Sequence, residues 1–251
     1  MSAYLAVLLR ACLKWGMFSQ SRRHLFYLMI ALKQLAWPAH LRPILRRRVI
    51  MSDRCELTCL GCELSPRGFS EQRIVDRLAL LKPSWMGDIQ VDIGGGDPLL
   101  FPDRIAVIVQ NRHRGVKLNL WTHGTSDWSP ILPLLPQIDH VFLFAPQLTR
   151  EEYREATGMD RFDQLADAIA LLKDNQKSVT LVQVVNENDI NHLADDYEWV
   201  LAHNLEWLLM AENEAISSQD GVAYLRRFEG IPRCYVKLNV PIRVGRCQGG
   251  F

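Results

Sequence analysis

Three cysteines, Cys55, Cys59 and Cys62, fall within eight residues directly after the apolar run Val49-Ile50-Met51, and no other feature constrains the chain as tightly. Thiolates spaced C-x3-C-x2-C on one loop can converge on three irons of a cubane, and iron–sulfur clusters are held by short cysteine runs of this kind. Three ligands for four irons leave one iron open to another molecule. Structural zinc is the alternative use of such thiols, but it takes four closed ligands, usually from two separated C-x2-C pairs. Only Cys59 and Cys62 form such a pair here. Six cysteines in 251 residues are too few for a disulfide framework. Their clustering points to metal binding in a reducing compartment, and so to a cytoplasmic protein.

Beyond residue 45 the pattern alternates between strand and helix. A strand is expected over Arg48 to Ser52, followed by the cysteine loop. Ser70 then caps a helix to about Leu81, with Ile74, Val75, Leu78 and Leu81 at helical spacing and Pro83 as a stop. Ile89 to Ile93 alternates as a second strand and runs into Gly94-Gly95-Gly96-Asp97-Pro98, and Pro102 opens a helix to about Arg112. Lys117 to Trp121 is a third strand ending in Thr122-His123-Gly124, and His140 to Phe144 a fourth. Helices follow near Arg150 to Ala156 and from Phe162 to Lys173, with a break at Gly158. Val179 to Val185 is a fifth strand, closed by Asn186-Glu187-Asn188, then a helix from Ile190 to His203 and a sixth strand from Leu205 to Met210. Strands separated by helices of this length make βαβ units and a parallel sheet. Six units fall short of a closed eight-stranded barrel, so the expected fold is α/β, a partial (β/α)6 TIM-like barrel. Ligands of such sheets bind where the strands end. The unusual loops follow strands 1, 2, 3 and 5.

The net charge of +1 conceals an asymmetry: residues 1–50 carry nine Lys and Arg and no Asp or Glu, leaving 20 basic against 28 acidic side chains in the remainder. Tyr4, Leu8, Trp15, Phe18, Phe26 and Trp37 interleave with those charges. A segment both cationic and apolar is suited to an anionic membrane surface; amphipathic helices packed on the domain are the alternative. Its longest uncharged apolar run, Leu25 to Leu32, is far short of the roughly 20 residues needed to span a bilayer. Arg10 interrupts the first apolar run, unlike a secretory signal, while an organelle transit peptide is also Arg-rich and acid-poor.

With Cys55, Cys59 and Cys62 after strand 1 and Gly95-Gly96-Asp97-Pro98-Leu99 after strand 2, the chain resembles the radical S-adenosylmethionine (radical SAM) superfamily over about residues 46 to 210. Thr122-His123-Gly124 stands where that family often has Thr-Asn-Gly. The resemblance implies a [4Fe–4S] cluster on Cys55, Cys59 and Cys62, whose open iron takes the amino and carboxylate groups of S-adenosylmethionine. One electron then breaks a sulfonium C–S bond and leaves a 5′-deoxyadenosyl radical. It also implies contacts to S-adenosylmethionine from Gly95, Gly96, Asp97, Pro98, Thr122, Asn186 and Asn188. The two glycines allow close backbone approach to its methionine end. Asn186 and Asn188 have a second use as caps of the following helix. His123 is expected to be a loop histidine and Arg154 a solvated helix charge, and strand parity does not decide which way Trp121 points.

Two residues depart from the family pattern. Asp97 replaces the usual Glu, and Gly61 replaces the aromatic residue that often precedes the third cysteine. A glycine there occurs in hopanoid-pathway members that add an adenosyl radical to an apolar polycyclic alkene. With the cationic apolar segment, this gives the expectation of an apolar, isoprenoid or lipid-like substrate, a reductant such as flavodoxin or ferredoxin, peripheral membrane contact through residues 1–50, and no nucleic-acid partner. The alternatives are a peptide-modifying radical SAM enzyme and a non-catalytic zinc- or partner-binding protein on a degenerate barrel. The domain plan is a basic amphipathic extension over 1–45, the partial barrel over 46–230, and a C-terminal hairpin over 231–251. In that hairpin Cys234 and Cys247 are free or redox-active thiols, or ligands of an auxiliary cluster.

Overall fold

Seven strands, all parallel and hydrogen-bonded in sequence order, carry the architecture of the computed structural model, which describes residues 44–52, 54–59, 70–81, 88–212, 219–229 and 231–240. They are β1 (Ile44–Ile50), β2 (Asp88–Gly94), β3 (Val116–Thr122), β4 (His140–Phe144), β5 (Val179–Val185), β6 (Glu206–Glu212) and β7 (Cys234–Val240). Between them lie α1 (Glu71–Ala79), α2 (Pro102–Asn111), α3 (Arg150–Thr157), α4 (Phe162–Asp174), α5 (Leu193–Ala202) and α6 (Gln219–Arg226). The basic extension, Gly61, Cys62 and Cys247 fall outside the described residues.

The α/β partial barrel is as expected, with two corrections. β1 begins at Ile44, four residues early, because Arg46, Arg47 and Arg48 are ladder residues paired with Gln90, Val91 and Asp92. β1 is an edge strand, and of its three arginines Arg47 is exposed while Arg46 and Arg48 are half-buried. The count is seven because Cys234 to Val240, taken as one arm of a hairpin, runs parallel to β6 with Trp207 opposite Cys234 and Met210 opposite Lys237.

The sheet is buried on both faces, which is why its strands read as near-continuous apolar runs. Outward-facing Leu118, Leu120, Val141, Leu143, Leu181, Val185, Trp207 and Leu209 join Ile105, Ile108, Leu165, Ile169 and Leu172 of the helices in the main core. Inward-facing Trp121, Phe142, Phe144, Val182, Val184, Leu208 and Met210 form a second, separate apolar cluster. The parity of Trp121 is thereby fixed: it stacks on Phe142 at 4.1 Å on the inner face. Nearer the strand beginnings that face turns polar. The Asn119 amide donates to Asp92 (2.8 Å) and Gln90 (3.2 Å), Thr180 donates to Glu206 (3.0 Å), and Arg48 pairs in register with Asp92. The sheet curls far enough for Lys237 of β7 to feel the charges of Arg46 on β1 and Asp92 on β2.

Helix ends follow local chemistry. Thr149 caps α3 by accepting from the Glu152 N–H, Glu151 and Glu152 face the positive end of its dipole, and Gly158 closes it in the left-handed conformation (φ 72°). Between β3 and β4 runs a nine-residue 3-10 helix, Ser129–Gln137, that the pattern did not disclose. Its prolines, Pro130, Pro133 and Pro136, recur at the three-residue period of that helix. No described helix is long and apolar enough to cross a membrane.

Candidate active site

The loop carrying Cys55 and Cys59 leaves the end of β1 and is pinned on three sides. At its start, the Met51 N–H donates to Gly94 O (2.7 Å), the Arg104 guanidinium donates to Met51 O, and the Asp97 N–H donates to Arg54 O (2.8 Å). At its middle, Glu56 pairs with Arg161 (2.9 Å), which also donates to Thr125 O after β3 (3.4 Å). Beyond that, the Thr58 N–H and hydroxyl both donate to Thr157 O at the end of α3 (3.0 and 3.2 Å). A Cβ on Gly158 would lie 2.3 Å from the Thr58 hydroxyl, so the glycine that ends α3 is also what lets the loop approach it. Cys55 is half-buried and Cys59 is buried, and neither forms a disulfide among the described residues.

The glycines after β2 serve this same junction. Gly95 (φ 89°) and Gly96 (φ 56°) adopt conformations that L side chains rarely take. A Cβ on Gly95 would lie 2.5 Å from Ile50 Cγ2, and one on Gly96 would lie 2.0 Å from Arg54 O. The space they leave open is therefore filled by β1 and the cysteine loop. Close backbone approach is what the glycines permit, and in this structure the partner is the residue before Cys55.

Asp97 is 1% exposed, with its carboxylate fully engaged. It accepts from the Thr122 hydroxyl (2.6 Å), the Ser126 hydroxyl (2.7 Å) and the Leu99 N–H (3.2 Å), the last capping the 3-10 turn Pro98–Leu100. Thr122 in turn accepts from the Gly124 N–H (3.0 Å). Asp97 and Thr122 thus lock the loops after β2 and β3 together. Asn186 accepts from the Asn188 N–H (2.8 Å), and Asp189, held by the Gln147 amide (2.6 Å), accepts from the Asn186 N–H (2.7 Å). These bonds shape the loops after β4 and β5. The exposed Asn188 precedes the short 3-10 helix Asp189–His192 without capping it through its side chain.

Two further residues stand beside the thiols: His123, expected only as a loop histidine, and Tyr153. His123 is buried and hydrogen-bonded to Cys55. Burial disfavours its cation, but the bond to Cys55 and the charges of Cys55, Cys59 and Asp97 outweigh that and push it up to about 9. Tyr153 of α3 is fully buried and its hydroxyl has no hydrogen-bond partner among the described residues; the buried Thr125 hydroxyl is in the same condition. Leaving such a group unpaired costs about 1–3 kcal/mol. Burial, then the charges of Cys59 and Cys55, raise the Tyr153 phenol far above its ordinary value. Nothing in the sequence pattern singled out Tyr153.

Thiols on one pinned loop, next to a buried hydroxyl without a partner among the described residues, are a donor set that suits iron–sulfur ligation. Among the described residues no group of three or more His, Cys, Asp and Glu forms a metal site. Cys234 lies elsewhere, in the core on the helix-covered face of β7, where burial pushes its thiol up to about 12.

No known family profile matches the chain. Among curated proteins it is similar to a probable GTP 3′,8-cyclase of Pyrococcus abyssi, 26% identical over 167 residues, covering 64% of this chain and 52% of the relative. A probable GTP 3′,8-cyclase of Pyrococcus horikoshii is 24% identical over 158 residues, 59% of this chain and 51% of the relative. The chain spans about half the length of the curated relatives it matches. Among solved structures, anSMEcpe with bound AdoMet (S-adenosylmethionine) superposes with a TM-score of 0.57 at 19% identity, over 67% of this chain and 51% of that one. Streptococcus suis SuiB superposes with a TM-score of 0.58 at 13% identity, over 95% and 60%. SuiB bound to the precursor peptide SuiA gives 0.56 at 13%, over 94% and 61%. At these identities the likeness is one of fold.

Proposed function

We propose that this chain, which belongs to the radical S-adenosylmethionine superfamily, reductively cleaves S-adenosylmethionine at the end of its curled sheet and directs the product radical at a substrate with a largely apolar body. Cys55, Cys59 and Cys62 are the ligands of a [4Fe–4S] cluster. Bound there, such a cluster would supply the electron that breaks a sulfonium C–S bond to give a 5′-deoxyadenosyl radical. The protein's work is positional. Asp97 fixes the turn Gly94 to Pro98 against the cysteine loop by its backbone and against Thr122 and Ser126 by its side chain. Thr58 holds Cys59 to the end of α3, and His123 shares a hydrogen bond with Cys55 Sγ.

The observation that carries this reading is the 2.8 Å bond from the Asp97 N–H to Arg54 O, which joins the two most distinctive loops of the sequence at one end of the sheet. The apolar substrate is supported by the inward cluster of Trp121, Phe142, Phe144, Val182, Val184, Leu208 and Met210, and by the cationic, apolar composition of residues 1–50. The extension over 1–45 would bring the chain to an anionic membrane surface, with a flavodoxin or ferredoxin as electron donor.

A substrate bearing charge is the second reading. It is favoured by the polar part of the inner face, where Arg48 lies beside Asp92 and Lys237 lies within reach of Arg46, and by the nucleotide named in the curated relatives. Peptide modification, as the SuiA complex of SuiB suggests, gains nothing from Cys234, which is buried on the opposite face. The loaded chain, given dithionite and S-adenosylmethionine, is tested with a lipid extract and with GTP. Faster 5′-deoxyadenosine formation with the extract supports the first reading, and with GTP the second. Flotation with anionic vesicles, beside a version lacking residues 1–45, tests the extension. Failure of both proteins to bind removes its support for a lipid-like substrate.

A further inference from the structure

Tyr153 pairs a large buried ring with a hydroxyl that finds no acceptor among the described residues, an arrangement a fold normally avoids. The ring itself is well placed, edge-on to Phe162 at 5.7 Å in the main core. The position of the hydroxyl follows from α3. One helical turn beyond Tyr153, Thr157 presents its carbonyl to both the N–H and the hydroxyl of Thr58, the residue before Cys59. The Thr157 hydroxyl bonds back to Tyr153 O (2.7 Å), tightening that turn. Tyr153 is therefore carried by the same clamp that holds the cysteine loop, and the charges that reach its phenol are those of Cys59, Cys55, Arg161 and Asp97.

We propose that Tyr153 is a positioning residue whose phenol donates a hydrogen bond to a sulfur of the cluster held by the cysteine loop. This rests on the cluster assignment made above. Hydrogen bonds to cluster and cysteine sulfurs favour the more negative, reduced state and so raise the reduction potential. Tyr153 thereby sets how readily an electron is released, while the same bond gives the orphaned hydroxyl its acceptor. The ligand it addresses bears sulfide or thiolate charge, the acceptor that the hydroxyl lacks among the described residues.

The test is Tyr153→Phe, which removes only the unpartnered oxygen, in the full chain reconstituted anaerobically beside the unaltered protein. Three readouts are taken: iron per chain, the midpoint potential from an EPR-monitored redox titration, and the melting temperature before reconstitution. The expected result is a potential shifted to more negative values, or faster iron loss to a chelator, with the metal-free melting temperature unchanged or higher. Equal iron content, equal chelator resistance and equal potential in both proteins would overturn the proposal. A clear fall in the metal-free melting temperature, or failure to fold, would also overturn it, because the hydroxyl would then be serving the fold. If the unaltered protein takes up no iron, the cluster assignment itself has failed, an outcome distinct from a loaded pair with one potential.

Discussion

The backbone N–H of Asp97 lies 2.8 Å from the carbonyl oxygen of Arg54, so the turn after β2 is bonded directly to the residue before Cys55. Everything proposed for the site depends on that junction. It is made possible by Gly96, whose missing side chain is replaced by the Arg54 carbonyl itself.

Gly96→Ala should therefore damage the site from behind. The left-handed conformation costs a non-glycine residue about 1–2 kcal/mol, and displacing the Arg54 carbonyl forfeits a hydrogen bond of about 1 kcal/mol. For a domain of this size that corresponds to a fall of roughly 4–12 °C in melting temperature, with reduced iron uptake. An unchanged melting temperature would count against the junction.

Asp97→Ala removes the shared acceptor of Thr122, Ser126 and the Leu99 N–H in a buried place. The expected loss is about 3 kcal/mol or more, since several donors are stranded at once. Thr122→Val removes one donor and leaves the carboxylate two others, so about 1–2 kcal/mol is expected. Urea unfolding of both variants measures the difference, and equal small losses would contradict the network.

Asp196 provides a pH signature away from the site. Burial raises its carboxyl to about 6, against the opposing effect of the Gln183 amide that donates to it at 2.8 Å; Glu152 adds a smaller upward push. Between about pH 4 and 6 the folded state binds the extra proton, so stability falls as pH rises through this window and the penalty persists above it. A shift of about 2 units corresponds to an upper bound of about 3 kcal/mol at neutral pH. Asp196→Asn should be more stable than the parent at pH 7 and equal near pH 4. Parallel stability curves across that window would refute the assignment.

Cys234 should behave as a core thiol. Pushed up to about 12, it is almost entirely protonated at pH 8, so alkylation by iodoacetamide in the native state should be about a thousandfold slower than for a free thiol. Cys234→Ala should leave the iron content unchanged. Rapid native labelling, or loss of iron on that substitution, would restore a metal role to the C-terminal region.

The repeating strand and helix pattern was legible because Val179 to Val185 and His140 to Phe144 bury both faces and so read as apolar runs. β1 was legible only in part, since an edge strand tolerates the charges of Arg46 to Arg48 that elsewhere would mark a loop. β7 was read as a strand but not as a member of the sheet, because alternation reveals a strand and not its neighbour; the second arm of the expected hairpin lies outside the described residues. Within the site, cysteine spacing and the glycine turn identified the two loops that meet, but not what the glycines meet, since that depends on a backbone approach between distant segments. Tyr153 was invisible for a plain reason: a tyrosine at an inward helical position looks like any core residue until its hydroxyl is found without an acceptor.

The account stands most directly on one measurement. The full chain is reconstituted without oxygen, its iron counted, and 5′-deoxyadenosine quantified after adding dithionite and S-adenosylmethionine, beside Cys59→Ala. A brown protein holding about four irons and forming 5′-deoxyadenosine, with both properties lost in the variant, is the expected result. A colourless protein carrying stoichiometric zinc, or 5′-deoxyadenosine formed equally well without Cys59, would contradict it.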